Sequence, residues 1–197
     1  MESFRFEPVS GLSRHNKKDS GPPACGGVRS TRQQAIFETA ADVKGGEMRT
    51  AFMGIDPGRS GAVIVIDALG CRRGEVRLND TDHDVCEFVR LWSPSIAFAA
   101  LEQVNAMPGQ GVASTFKFGL SYGFCAALLA AFQVPHDLVR PAAWQKAMGC
   151  RTGGDKNVSK QAAQRLFPGP KIIHANADAF LLAEFARRIF NARAGNH

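Results

Sequence analysis

Apolar and polar positions along this chain alternate in short runs and longer periodic stretches. Two apolar runs, Ala51 to Ile55 and Ala62 to Ile66, flank Asp56 and a glycine-rich turn, a pattern that predicts a β-hairpin. By the period of two, Phe52, Gly54 and Asp56 share one face, which sets the Asp56 carboxylate at a strand end among apolar neighbours. Cys71 to Leu78 reads as a third strand whose charges mark an exposed face. Asp80-Thr-Asp-His-Asp84 supplies N-cap candidates for a helix through Val85, Phe88, Val89 and Trp92, ended by Ser93-Pro94. Ile96 to Glu102 is a fourth strand, with Ile96, Phe98, Ala100 and Glu102 on one face.

Beyond an exposed loop from Gln103 to Gly111, Ala113 to Phe132 reads as a long helix. Its small residues Gly119, Gly123 and Ala127 permit close packing, either on the sheet or against a second copy. His136 to Arg140 is a fifth strand, and Pro141 opens a short helix through Met148. A basic loop, Arg151 to Lys156, leads into a helix stopped by Pro168-Gly-Pro170. The last helix runs from about Ala175 to Asn191, with Leu182, Phe185 and Ile189 on the face of Asp178 and with Glu184, Arg187, Arg188 and Asn191 mostly turned away. This order predicts an α/β fold: a mixed five-stranded sheet, its first three strands antiparallel, flanked by helices.

Composition narrows the picture. A length of 197 residues suits one domain with a tail. Residues 1–48, rich in Gly, Pro, Ser and charge, are expected to be disordered or weakly helical, with Thr31 to Val43 the helical part. Lys44-Gly-Gly-Glu can be encoded by a purine-rich run resembling a bacterial ribosome-binding site, so a native start at Met48 is a further expectation. The folded domain is then 49–197. The longest apolar run, Phe124 to Phe132, falls short of the ~20 residues of a membrane span. No secretory run opens the chain, and a cytoplasmic protein is expected. Five scattered cysteines without a Cys-x-x-Cys support neither a disulfide framework nor a zinc site. The net charge of +6 fits a polyanionic partner, and residues 1–48 hold seven Lys/Arg against six Asp/Glu, so the excess belongs to the folded part.

The chemistry concentrates in three carboxylates at the ends of apolar elements, Asp56, Glu102 and Asp178, with His174 one helical turn before the last. Converging carboxylates repel one another, and a divalent cation relieves them; all-oxygen ligands favour Mg²⁺ or Mn²⁺ over zinc. Two such ions about 4 Å apart are apparatus for phosphodiester hydrolysis. The alternative is structural, with Asp56 capping a turn, Glu102 at the surface, and Asp178 with His174 capping a helix.

Several motifs in order resemble the RuvC-type Holliday-junction resolvases of the RNase H-like superfamily, in particular their phage and plant-organelle branch. They are Gly54-Ile-Asp-Pro-Gly with Ser60-Gly-Ala, Leu101-Glu-Gln-Val followed by Met107-Pro, and Phe116-Lys-Phe-Gly with Tyr122-Gly. Pro141-Ala-Ala-Trp-Gln-Lys, Lys160 to Phe167-Pro and His174-Ala-Asn-Ala-Asp-Ala-Phe-Leu-Leu-Ala183 complete the set, over about Arg49 to Arg188. The resemblance implies an RNase H-like sheet and a two-metal endonuclease in which Asp56 bridges both ions and Glu102 and Asp178 complete the ligands. His174 matches a position where that branch has His or Asp, and could complete a metal shell, accept a proton from the attacking water, or only bond to backbone at the helix start. Ala175 and Asn176 depart from the family, which has an acid or His at the first place in bacterial members and a frequent Gly-Arg pair in the branch.

The expected substrate is a four-way DNA junction cut by a two-fold homodimer. Phosphate contacts are expected from Arg59, Lys117, Lys146, Arg151, Lys156 and Lys160. Met107 or Phe116 is a candidate wedge into an opened junction, although core packing suits Phe116 as well. Competing readings are a related nuclease on other branched or RNA-containing substrates, and a junction-binding protein with a decayed site. The opening motif also resembles the first phosphate loop of actin-like ATPases and sugar kinases, but those need a second domain for which ~150 folded residues leave no room.

Overall fold

The computed structural model describes residues 49–58, 60–103, 111–151, 153 and 155–195. The expectations placed on residues 1–48, Arg59 and Met107 lie outside the described residues. In chain order the elements are β1 (Ala51–Ile55), β2 (Ala62–Ile66), β3 (Arg72–Arg77), α1 (Asp82–Trp92), β4 (Ile96–Glu102), α2 (Val112–Ala131), β5 (His136–Val139), α3 (Pro141–Ala147), α4 (Lys156–Leu166) and α5 (His174–Ala194). The strands form one sheet in the order β3-β2-β1-β4-β5. β1, β2 and β3 pair antiparallel, whereas β4 runs parallel to β1 and to β5. This is the mixed five-stranded sheet that the hydrophobic pattern and the resemblance lead one to expect.

Alternation splits the core into two layers. Phe52, Ala62, Ile64, Ile66, Phe98 and Ala100 pack with α3, α4 and α5, while Met53, Ile55, Val63, Val65, Ala99 and Leu101 pack with α1 and α2. Burial of both faces explains why β1, β2 and β4 are apolar runs, with Glu102 at the very end of β4, while the edge strands β3 and β5 carry charge within them. The expected common face of Ile96 with Phe98 fails. An irregularity between Ala51 and Phe52 shifts the register, so Ala97 joins Phe98 in one layer and Ile96 turns to the other.

α5 crosses β1, β2 and β4 and packs on α4. A Cβ on Gly54 would collide with Ala183 N and Ala179 O, so the helix backbone lies directly on β1. With α4 on another side, α5 is buried on most sides between Asn176 and Ala186, which corrects the one-sided helix expected there, while Arg188 and Asn191 beyond it are exposed as expected. Glu184 in particular is not turned away: it is 4% exposed and bonded by Arg187 and Arg188, each at 2.8 Å.

α2 behaves in the opposite way. Only Cys125, Leu128 and Leu129, towards its C-terminus, are buried. Val112, Phe116 and Leu120 are 88%, 66% and 58% exposed, so Phe116 does not pack in the core. A Cβ at Gly119 or Gly123 would meet nothing within 4 Å; these glycines do not seat the helix on the sheet. By length and composition α2 is also apolar enough to cross a membrane, contrary to the expectation from the Phe124 to Phe132 run, because only Lys117 interrupts it with a charge.

Candidate active site

Parallel pairing of β1 with β4 sets Ile55 opposite Leu101, so the next residues, Asp56 and Glu102, leave adjacent strands side by side. Both follow the alternation towards the α5 layer. α5 supplies the third acid: Asp178 lies in its second turn, next to Ala177 and Ala179, which are buried in that layer. Three elements far apart in sequence thus bring their carboxylates to one end of the sheet, where each is close enough to perturb the others.

The Asp56 loop is tightly built. Asp56 N donates to Ala62 O at 3.1 Å, Gly61 N to Gly58 O at 2.7 Å, and Gly58 N to Asp56 Oδ1 at 3.0 Å. At Gly61 a Cβ would run into the Asp56 carbonyl and carboxyl, which requires glycine there. Arg77, at the end of β3, closes the loop from outside, its guanidinium donating to Ser60 O at 2.6 Å and Gly61 O at 3.3 Å. Glu102 Oε1 accepts from Trp144 Nε1 at 3.0 Å. Asp178 is held differently. Among the described residues its buried Oδ1 has no hydrogen-bond partner, and the buried Ser159 hydroxyl is near enough to ease its charge but makes no well-formed bond.

Electrostatics follow from this crowding. Burial raises the Asp56 carboxyl above its ordinary range; the Gly58 amide pulls it back, the Asp178 charge raises it again, and Lys156 and Arg77 oppose. Burial, then the charge of Asp56, pushes Glu102 up to about 7, with Trp144 acting the other way. Asp178 is raised by burial, against the pull of Ser159, Lys156 and His174. Burial also drives the nearby thiols of Cys125 and Cys150 up to about 12 and about 11, so both stay neutral and the charged donors are all oxygens.

Among the described residues no three His, Cys, Asp or Glu side chains are grouped so that they could hold a metal ion as they stand. The three carboxylates feel one another's charge. Their chemistry nevertheless suits a divalent cation: all-oxygen donors, mutual repulsion, and a buried Asp178 oxygen with no hydrogen-bond partner among the described residues.

The other sequence candidates scatter. His174 opens α5 with an exposed ring whose charge reaches Asp178. Lys156, the first residue of α4, acts on Asp56 and Asp178 together. Lys117 and Phe116 are exposed on α2, and Lys146 and Arg151 are exposed on and after α3; Lys160 is half-buried in α4. Lys117 lines a cleft of about 360 Å³ with Leu78, Asp82, Leu120, Ser121 and Phe124. Leu78 N donates to Gly61 O, which puts that cleft against the Asp56 loop.

Three residues at or beside the site escaped the sequence reading. Arg77 looked like one charge among several on an edge strand. Trp144 stood in a quoted motif without a role. Asn176 is buried, and its side chain accepts from Ile173 N at 2.8 Å and donates to Glu75 Oε1 at 3.0 Å, which ties the start of α5 to β3. Only the last left a local signal, an amide three residues into a helix.

No protein-family model matches this chain, and no curated protein does. Among solved structures it is similar to Thermus thermophilus RuvC. The complex of that protein with a Holliday junction substrate aligns with 17% identity and a TM-score of 0.48, over 74% of this chain and 96% of that one. Another structure of the same protein aligns with 18% identity and a TM-score of 0.49, over the same shares. At such distance no residue role transfers, and the chemistry has to be read from the carboxylates themselves.

Proposed function

We propose that this protein is a structure-selective, divalent-metal-dependent endonuclease that resolves four-way DNA junctions, a RuvC-type enzyme nearest the phage and plant-organelle branch. The observation that carries the reading is the convergence of Asp56, Glu102 and Asp178, each pushed towards protonation by burial or by its neighbours, with an unpartnered Asp178 oxygen among them. Asp56 would hold both ions, with Glu102 and Asp178 completing the ligands. Two Mg²⁺ or Mn²⁺ ions there would supply the Lewis acidity for in-line phosphodiester hydrolysis, activating water and neutralising the departing 3′-oxygen.

The chain's own groups do the rest. Arg77 and the Gly58 amide fix the Asp56 loop. Lys156, beside two of the carboxylates, is placed to meet a phosphate as it approaches them. His174, exposed at the start of α5, is the proposed proton acceptor. Lys117, Lys146, Arg151 and Lys160, with Arg59 and Met107 from sequence, are the proposed DNA contacts, and Phe116 on exposed α2 suits a wedge better than a core residue. The exposed apolar face of α2, with open space over Gly119 and Gly123, supports a homodimer with one site per cut strand.

The deciding test is Mg²⁺-dependent cleavage of a four-way junction beside linear duplex and an RNA–DNA hybrid, with Asp56→Asn as control. Paired nicks in the junction alone, absent in the variant, are expected. Nicking of the hybrid but not the junction would move the assignment to another RNase H-like activity, and junction binding without cleavage would indicate a decayed site. In a pH–rate profile, His174→Asn should flatten the acid limb; an unchanged limb removes the proton-accepting role.

A further inference from the structure

We propose that Trp144 is a positioning residue for Glu102, holding one carboxylate oxygen so that the other is left free for a divalent cation. The inference rests on the nuclease reading and deepens it. Trp144 is completely buried in α3, and its indole N–H donates to Glu102 Oε1 at 3.0 Å across 42 residues of sequence.

Three features give this bond a directing role. Glu102 is the last residue of β4 and only partly buried, so its side chain has rotamers that turn away from the other two acids. Repulsion from Asp56 and Asp178 would favour those rotamers. Against it stands a donor with no freedom of its own, because the ring is locked in the core with Phe98, Ala100 and Phe180 of the same layer. An indole has a single N–H, so it engages one oxygen and leaves Oε2 available. The other indole, Trp92 Nε1, is buried with no partner among the described residues, so this fold does not oblige every buried indole to find one. Hydrogen-bond partners of this kind orient ligating carboxylates in metal sites generally.

The chain has two tryptophans, so Trp92→Phe in the full-length protein leaves Trp144 as the sole indole emitter. Titration with Mg²⁺ should then change Trp144 emission saturably, and Glu102→Gln added to that protein should abolish the change. Trp144→Phe, checked for a cooperative melt, should weaken Mg²⁺ binding by calorimetry about 10- to 100-fold and lower kcat on junction DNA while leaving KM for the DNA unchanged. Flat Trp144 emission while calorimetry records Mg²⁺ binding would overturn the proposal, as would parental Mg²⁺ affinity in a folded Trp144→Phe. If Trp144→Phe does not fold, the emission titration decides alone. A parent protein that binds Mg²⁺ and cleaves while emission stays flat loses only this inference; one that neither binds nor cleaves loses the nuclease reading as well.

Discussion

α2 and α5 are nearly equal in length, 20 and 21 residues, and their composition would assign them opposite places. α2 carries one charged residue, Lys117, yet most of it lies at the surface; α5 carries Asp178, Glu184 and three arginines and is buried over ten residues. The difference lies in what each meets. Gly54 removes the side chain where α5 crosses β1, and Ala177, Ala179, Ala183 and Ala186 let the helix sink to backbone contact. α2 meets the sheet only towards its C-terminus. Glu184 is tolerated inside because two guanidinium groups reach it, whereas among the described residues nothing covers the exposed apolar side chains Val112, Phe116 and Leu120 of α2.

The contrast can be broken at graded cost. Gly54→Ala should be the most damaging, destabilising by about 3 kcal/mol or more because helix backbone, not a flexible side chain, stands in the way. Urea unfolding at constant slope measures it, and a loss under about 1 kcal/mol would mean that α5 is not seated as described.

The acids on and near α5 come next. Glu102 is raised from 4.5 to about 7 in the fold, so between those values the native state binds more protons than the unfolded one. Metal-free stability should therefore fall as pH rises across that window, by at most about 3 kcal/mol, and level off above it. Mg²⁺ should raise the melting temperature more at pH 8 than at pH 5, and an equal rise at both would argue against a carboxylate site.

Glu184→Gln should cost about 2 kcal/mol, read from the same urea curves, since it leaves Arg187 and Arg188 only a neutral acceptor. The smallest effects belong to α2. Gly119→Ala and Gly123→Ala should each stabilise the monomer by up to about 1 kcal/mol, through helix propensity in open space. If the exposed face pairs with a second copy, light scattering should show the same substitutions weakening self-association.

Much was legible along the chain because alternation and helical period are local. The hairpin around Asp56, the charged edge strand, the Thr81 cap and the placing of Asp56 and Glu102 at strand ends all follow from neighbours within a few residues. Where contacts span the chain, the reading failed. A register irregularity turned Ile96 over, packing on several sides buried Glu184, and Phe116 stayed exposed because none of the described elements covers that part of α2.

The sequence by itself determined which segments become strands and helices, that acids stand at their ends, and that the charge balance suits a polyanion. Only the tertiary structure decided that Asp56, Glu102 and Asp178 come within reach of one another's charge, that Arg77 braces the Asp56 loop, and that Trp144 reaches Glu102. The physical reason is distance along the chain. Periodicity reports which way a side chain leaves its own element, whereas its partner is set by strand order, register and the depth to which a helix can settle.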